Sequence, residues 1–466
     1  MRSEAGPYTV NNILESTSGV LLQGRADAAF DGICTDTREL GPNDLFVPLT
    51  GQNYDGNSFV IPALDAGAGG SLVNCDVQLE IPYHLSDHVL IQVQDTLRSL
   101  TDLASTHRKI YPTPLIAITG SSGKTTVKEM IGSVLRKHGP VKITLGNLNN
   151  LIGLPMTVLD IQRDHKFAVV EAGINRFGEM DLLAKAASPN VAVITSIGQA
   201  HLEGLGSIEN IAIEKFKLVQ GLVPGGLGII PENSEVLRKL MGRFNGRIVT
   251  FGRTRGDFKA DNIKLGVQTS FEIVGPFGRT DIKWNVMGLH NILNSLAACA
   301  ACLELKIPIE DIREGLQNFR PPAWRMEVTD LMCSRQLIRD FYNANPLSMK
   351  AALEALTFYR GKRSVVAILG DMMELGDHAA DLHEEIGAFA GKACIDSIVY
   401  IGAFRDDFAR GFLSSGGDDS TLRLFSDKER AWEFLRGSIS DFQLILVKGS
   451  RAMKMELIAD QIEREI

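Results

Sequence analysis

With 466 residues, 44% of them apolar, the chain is too long for a single hydrophobic core and apolar enough to fill several. Its formal net charge of −8, with no continuous basic stripe, argues against a general nucleic-acid binder; an anionic ligand needs a local positive pocket. No stretch reaches the roughly 18 uninterrupted apolar residues that span a bilayer, and MRSEAGPYTVNNILE lacks the basic-then-apolar layout of an export signal, so a cytoplasmic protein without membrane insertion is expected.

Residues 1–110 mix short apolar runs (GICTDT, LFVPL, SLVNC, HVLIQV) with two helical stretches and close on TLRSLTDLASTHRKI. The prolines of YPTP then make a linker, because proline cannot continue a helix. From 111 to 322 strand and helix alternate. LIAIT, FAVVEAG and VAVITSIG are apolar on both faces, as strands of a covered parallel sheet must be, and KTTVKEMIGSVLRKH is helical. A glycine-punctuated polar stretch, 252–288, reads as hairpins inserted before the helix HNILNSLAACAACLEL. FRPPAW marks a second linker. From 323 to 466 the rhythm restarts, with QLIRDFYN, SVVAILG, SIVYIG and FQLILVKG as strands of a smaller, doubly wound, Rossmann-like domain. The expectation is an α/β chain of three domains, 1–110, 111–322 and 323–466. Six cysteines are scattered along it, and Cys299 and Cys302 form a C-x-x-C inside an alanine-rich helical pattern. Buried packing in a reducing compartment is expected for them, not redox chemistry.

The strongest chemical signal is LIAITGSSGKTTVKEM. A buried strand ends at Thr119, and Gly120 and Gly123, on either side of Ser121 and Ser122, let backbone N–H groups turn inward around an oxyanion. Lys124 supplies a cation for the β- and γ-phosphates of a nucleoside triphosphate, and the Thr125 hydroxyl, followed by Thr126, suits Mg²⁺. The usual G-x-x-x-x-G-K-[ST] spacing is not met, since Ile118 stands where its first glycine belongs. Strand, loop and helix still occur in the required order, making 111–322 an ATPase-like, P-loop domain. Such a loop serves motors, kinases, GTPases and synthetases alike. No N-K-x-D-like segment follows for guanine, while Glu171, ending FAVVEAG, leaves a motor-type NTPase open.

These segments are similar to the Mur ligase superfamily over nearly the whole chain. TGSSGKTT, FAVVEAG with TSIGQAHLEGLGS, IENIAIEKFKLVQG, GLHNILNSLAA, PPAWRMEV and DFYNANPLSM stand in that family's order. GNLNNLIGLP, DFYNANPLSMKAAL and LGDMMELG resemble the branch that adds D-Ala-D-Ala to UDP-N-acetylmuramoyl-tripeptide, and YNANP stands where the diaminopimelate-adding branch has D-N-P-R. TDTRELGPNDLFVPLTGQNYDGNSFV resembles the uridine-nucleotide-binding domain those two branches share. The resemblance implies an ATP-dependent amide ligase of peptidoglycan precursor synthesis, working through an acyl phosphate with two Mg²⁺ ions; a monomer is expected.

It also implies roles. Lys124 and the loop amides hold phosphates; Thr125 and Glu171 meet one Mg²⁺, and His201 the second. Lys215 matches a lysine that the family carbamylates, turning a cation into an anion able to hold metal. Asn291 and Asn294 resemble an adenine-side pair, and Arg325, Asp340 and Asn343 resemble residues through which the last domain reaches ATP. Asn147, Asn149 and Asn150 are expected at the substrate, and Thr35, Asp36, Thr37 and Arg38 at the uridine nucleotide, with Arg38 facing its diphosphate. Several have a plainer alternative: a capping or surface carboxylate for Glu171, a structural ring for His201, and a solvated lysine beside Glu214 for Lys215, with Lys217 as competitor. For Asn291 and Asn294 the alternative is helix-surface or capping amides; for Asn147, Asn149, Asn150 and Asp36 it is turn residues. The competing functions are a Mur ligase adding diaminopimelate or lysine, a folate polyglutamate-forming relative, and a non-catalytic ATP-binding regulator.

Overall fold

Segments apolar on both faces become strands buried on both faces. Leu115–Thr119, Val191–Ile194 and Leu444–Lys448 are buried at every position, so their hydrogen-bonding groups must be satisfied by neighbouring strands. The computed structural model describes residues 1–51, 54–266 and 268–466, so Gln52 and Asn53 of the uridine-like segment lie outside it. The chain is α/β and gathers into two units: 1–119, 135–192 and 217–228 in the first, and 120–134, 193–216 and 229–466 in the second.

In the first unit a six-stranded sheet runs in the order Arg2–Ser3, Ile33–Cys34, Leu45–Phe46, Gly70–Asn74, Val89–Val93, Val20–Gln23. Its inner pairs are parallel and its edge pairs antiparallel. The expected helix is Thr96–Ile110, started by Asp95, whose carboxylate accepts from the Arg98 N–H. It buries two basic side chains. The Arg108 guanidinium donates to the carbonyls of Ala187 and Tyr111 at 3.0 and 2.8 Å, and His107 Nε2 lies 2.8 Å from the Ile161 carbonyl. Beyond them Val141–Ile143, Phe167–Glu171 and Leu115–Thr119 pair in parallel, with Glu171 beside Ile118, two residues before Gly120.

In the second unit the polar stretch forms the expected hairpins: Phe258–Lys264, Thr269–Gly275 and Gly278–Trp284 pair antiparallel. The helix Leu289–Glu304 follows. Cys299 and Cys302 are fully buried in it, and burial pushes the Cys299 thiol up to about 12, as expected of packing thiols. The last sheet is a parallel array with an antiparallel edge strand, Glu327–Asp330. Its order is Gln336–Asp340, Leu444–Lys448, Val365–Gly370, Ser397–Ile401, Leu422–Phe425. The final strand therefore inserts between the first two, and the carboxyl ends of all three meet at Asp340, Lys448 and Gly370, where open α/β sheets bind ligands.

Candidate active site

The loop that leaves the strand at Gly120 needs both its glycines. Gly120 and Gly123 have φ of +151° and +86°, a region side chains rarely adopt. A Cβ on Gly120 would collide with Thr195 Oγ1, and one on Gly123 would stand 2.5 Å from Asn294 Oδ1. The loop is laced to the segment 195–198: Ser121 N donates to the Ser196 carbonyl and Ser122 N to Ser196 Oγ, both at 2.9 Å. Ser121 Oγ donates to the Gly198 carbonyl at 3.0 Å. The inward-turned amides expected of Ser121 and Ser122 are thus held by Ser196. The helix Lys124–Leu135 starts directly after this loop, and the positive end of its dipole suits an anion. Lys124 Nζ donates to the Gly120 carbonyl at 3.0 Å, and Thr125 and Thr126 are buried in the first turn.

Lys215, on the helix Ile208–Gln220, is 1% exposed, and its Nζ has no hydrogen-bond partner among the described residues. Burial, reinforced by the Lys124 charge, drives its pKa well below the ordinary lysine range, against a smaller opposing pull from Glu214. Its competitor Lys217 is a surface residue paired with Asp181 at 2.7 Å. His201, in a left-handed conformation with φ +57°, opens the short helix Leu202–Leu205. Its Nδ1 lies 2.7 Å from Glu374 Oε2. His201, and next Lys124, hold the Glu374 carboxyl below the ordinary range.

Asn291 and Asn294 are buried rather than on the helix surface, 3% and 7% exposed. Asn291 donates to the Met287 carbonyl, and Asn294 to Asn291 Oδ1. The Arg325 guanidinium lies 4.1 Å above the Tyr342 ring. Asp340 faces inward to Lys448, 2.6 Å from its Nζ, while its other oxygen accepts from Met326 N–H and so shapes the turn around Arg325. Asn343 is exposed and its side chain accepts from Ala344 N–H.

In the first unit Glu171 is 2% exposed and accepts from Asn149 Nδ2 at 2.8 Å. Asn150 accepts from the N–H groups of Ile152 and Gly153, a turn role, and Asn147 is exposed. Asp36 caps the turn Thr37–Glu39 and pairs bidentately with Arg38, whose side chain is otherwise 86% exposed. Thr35 lies half-buried beside this turn, its hydroxyl 3.4 Å from the Met1 carbonyl.

With this geometry in view, the Mur ligase middle domain matches residues 118–302, and the Mur ligase glutamate ligase domain matches 324–451. The chain is 36% identical over 459 residues, 98% of both chains, to the UDP-N-acetylmuramoyl-tripeptide–D-alanyl-D-alanine ligase of Bacillus subtilis (strain 168). The chain belongs to the Mur ligase family. This Mur ligase also superposes on a crystal structure of MurF from Acinetobacter baumannii with TM-score 0.88, 31% identity and coverage of 99% and 100% of the two chains. On MurF of Thermotoga maritima in complex with ADP the values are 0.81, 25%, 93% and 97%.

Among the described residues no group of three or more His, Cys, Asp or Glu gathers as a metal cluster. The orphaned Lys215 amine is the atom in this Mur ligase that a carbamate would complete. Three neighbours escaped the sequence reading. Asn345 caps the helix Pro346–Tyr359 and donates to the Ser121 carbonyl at 3.1 Å; its signal was readable, as Asn-Pro-x-Ser is a helix start. Glu374 sits in LGDMMELG, a segment that carried resemblance but no assigned role. Lys448 carries no local signal, being a lysine inside a buried strand. No helix is long and apolar enough to cross a membrane among the described residues.

Proposed function

We propose that this Mur ligase joins D-alanyl-D-alanine to UDP-N-acetylmuramoyl-tripeptide, at the expense of ATP, in the cytoplasm. The observation that carries this reading is the end-to-end match, at 36% identity, to a ligase named for that reaction. A carboxylate resists attack by an amine, so it must first gain a leaving group. The tripeptide's terminal carboxylate oxygen attacks the γ-phosphorus and ADP departs, giving an acyl phosphate. The dipeptide's amine then attacks the acyl carbon, loses a proton, and the tetrahedral adduct expels phosphate. Little covalent work falls to the protein, so positioning and charge neutralisation carry catalysis.

Lys124 and the amides of the first helical turn are assigned to the phosphates, with the loop Thr119–Thr126 around them. Thr125, His201 and Lys215 would hold magnesium, whose charge would neutralise phosphate oxygens; Glu171 is kept as a further ligand for its strand-end carboxylate. Carbamylation of Lys215 joins its neutral Nζ to the carbon of CO₂ and releases a proton. A buried amine with depressed pKa is the species that step needs. Asn291, Asn294 and Arg325 are assigned to the nucleotide, and Asn149 and Arg38 to the UDP-linked acceptor. Asp340 and Asn343 act by shaping the turn beside Arg325. The division into domains 1–110, 111–322 and 323–466, and a monomeric state, belong to the same reading. Phosphate release tests it: both UDP-tripeptide and D-Ala-D-Ala are required, and release with diaminopimelate replacing the dipeptide would overturn the assignment.

A further inference from the structure

The strand Leu444–Lys448 ends on a buried lysine. Lys448 is 1% exposed and stands in register with Asp340 of the neighbouring parallel strand. Its Nζ donates to Asp340 Oδ2 at 2.6 Å and, at 3.4 Å, to the main-chain carbonyls of Asp340 and Asn343. Its ammonium protons are therefore spent inside the fold, and none is left for a ligand. A buried ion pair can often be exchanged for apolar residues at no loss of stability, so stability alone does not account for a charge at this depth.

A second cation, Arg325, feels the same carboxylate. The N–H of the residue after it, Met326, donates to Asp340 Oδ1 at 3.2 Å. Burial raises the Asp340 carboxyl above its usual range, and the Lys448 charge, then that of Arg325, opposes the rise. An arginine and a carboxylate make a strong, often bidentate pair, yet Arg325 forms none. Its guanidinium lies 4.1 Å above the Tyr342 ring and, among the described residues, makes no hydrogen bond or ion pair. The two oxygens it would take are held by Lys448 and Met326 instead.

We propose that Lys448 is a positioning residue: by holding Asp340 it keeps that carboxylate from capturing Arg325, whose N–H groups stay free for the phosphates of a nucleotide. The proposal rests on the assignment of Arg325 to the nucleotide. It implies a dependence that a merely structural lysine lacks. Removing Lys448 harms ATP binding only while Asp340 and Arg325 are both present.

The test titrates ATP with magnesium into the full chain and compares dissociation constants. Arg325→Ala weakens binding by about 10–100-fold, the loss expected for hydrogen bonds from a charged donor. Lys448→Met gives a loss of similar size. In the Asp340→Asn and Arg325→Ala backgrounds the same replacement adds less than about twofold. Lys448→Gln, still a donor to the two carbonyls but without the charge, shows the same dependence and serves where Lys448→Met does not fold. Unchanged affinity in the folded Lys448 variants, or a loss of equal size in every background, overturns the proposal alone. Unchanged affinity in Arg325→Ala overturns the nucleotide assignment and the proposal with it.

Discussion

His107 and Arg108, on the helix Thr96–Ile110, are buried as deeply as Lys215 on the helix Ile208–Gln220, at 1%, 6% and 1% exposure. In the first pair the polar groups find acceptors: the guanidinium meets two carbonyls, and the imidazole lies against the Ile161 carbonyl. Lys215 Nζ meets none among the described residues. Buried polar groups that serve only the fold are normally satisfied, because an unmade hydrogen bond costs more than a made one returns. A satisfied basic cluster therefore reads as structure, and an orphaned amine as a group kept for chemistry.

The sharpest way to separate the two is to replace each by methionine. Lys215→Met should lower amide synthesis by about 10²–10³-fold, or roughly 3–4 kcal/mol of activation free energy. The same variant should be more stable, by about 1–3 kcal/mol in denaturant titrations of bicarbonate-free protein, since it removes a buried amine without a partner. Its folded pKa is depressed, so below the ordinary value of 10.5 the unfolded chain binds the proton more strongly than the folded chain. The stability gain is accordingly largest well below that value and fades as pH rises toward it. Arg108→Met should do the reverse, losing about 3 kcal/mol because the carbonyls of Ala187 and Tyr111 are left without donors. Equal signs for the two variants would break the contrast.

A pH titration sharpens the structural side. Burial lowers His107 to about 4 from 6.5, so between those values the unfolded state holds the extra proton and stability falls as pH drops. The loss is complete near pH 4 and amounts to at most about 3 kcal/mol. In His107→Gln that part of the slope should vanish. The smallest effect belongs to Lys217→Ala, a surface pair with Asp181, which should change stability by under about 1 kcal/mol and leave amide synthesis unaltered.

The elements that carry the site were legible because their patterns are local. Leu115–Thr119 and Phe167–Glu171 show as runs apolar on both faces, and glycine spacing shows the loop they feed. The two-residue strands of the first sheet leave no periodic trace, having too few positions to alternate. Strand order was hidden for a different reason: the insertion of Leu444–Lys448 between Gln336–Asp340 and Val365–Gly370 is a through-space choice. The same holds for His201 with Glu374 and Asp340 with Lys448, where each partner alone looks like an ordinary charged residue. Lys215 could be separated from Lys217 by resemblance, but its orphaned amine needed coordinates.

The path of one oxygen atom probes carboxylate activation most closely. UDP-tripeptide carrying ¹⁸O in both oxygens of its terminal carboxylate is turned over with ATP and D-Ala-D-Ala, and the released phosphate is weighed by mass spectrometry. Attack of the carboxylate on the γ-phosphorus transfers a single ¹⁸O into each phosphate and leaves the other in the new amide. Phosphate released without ¹⁸O while the amide forms would contradict an acyl phosphate, and with it the phosphate-holding role of the Thr119–Thr126 loop.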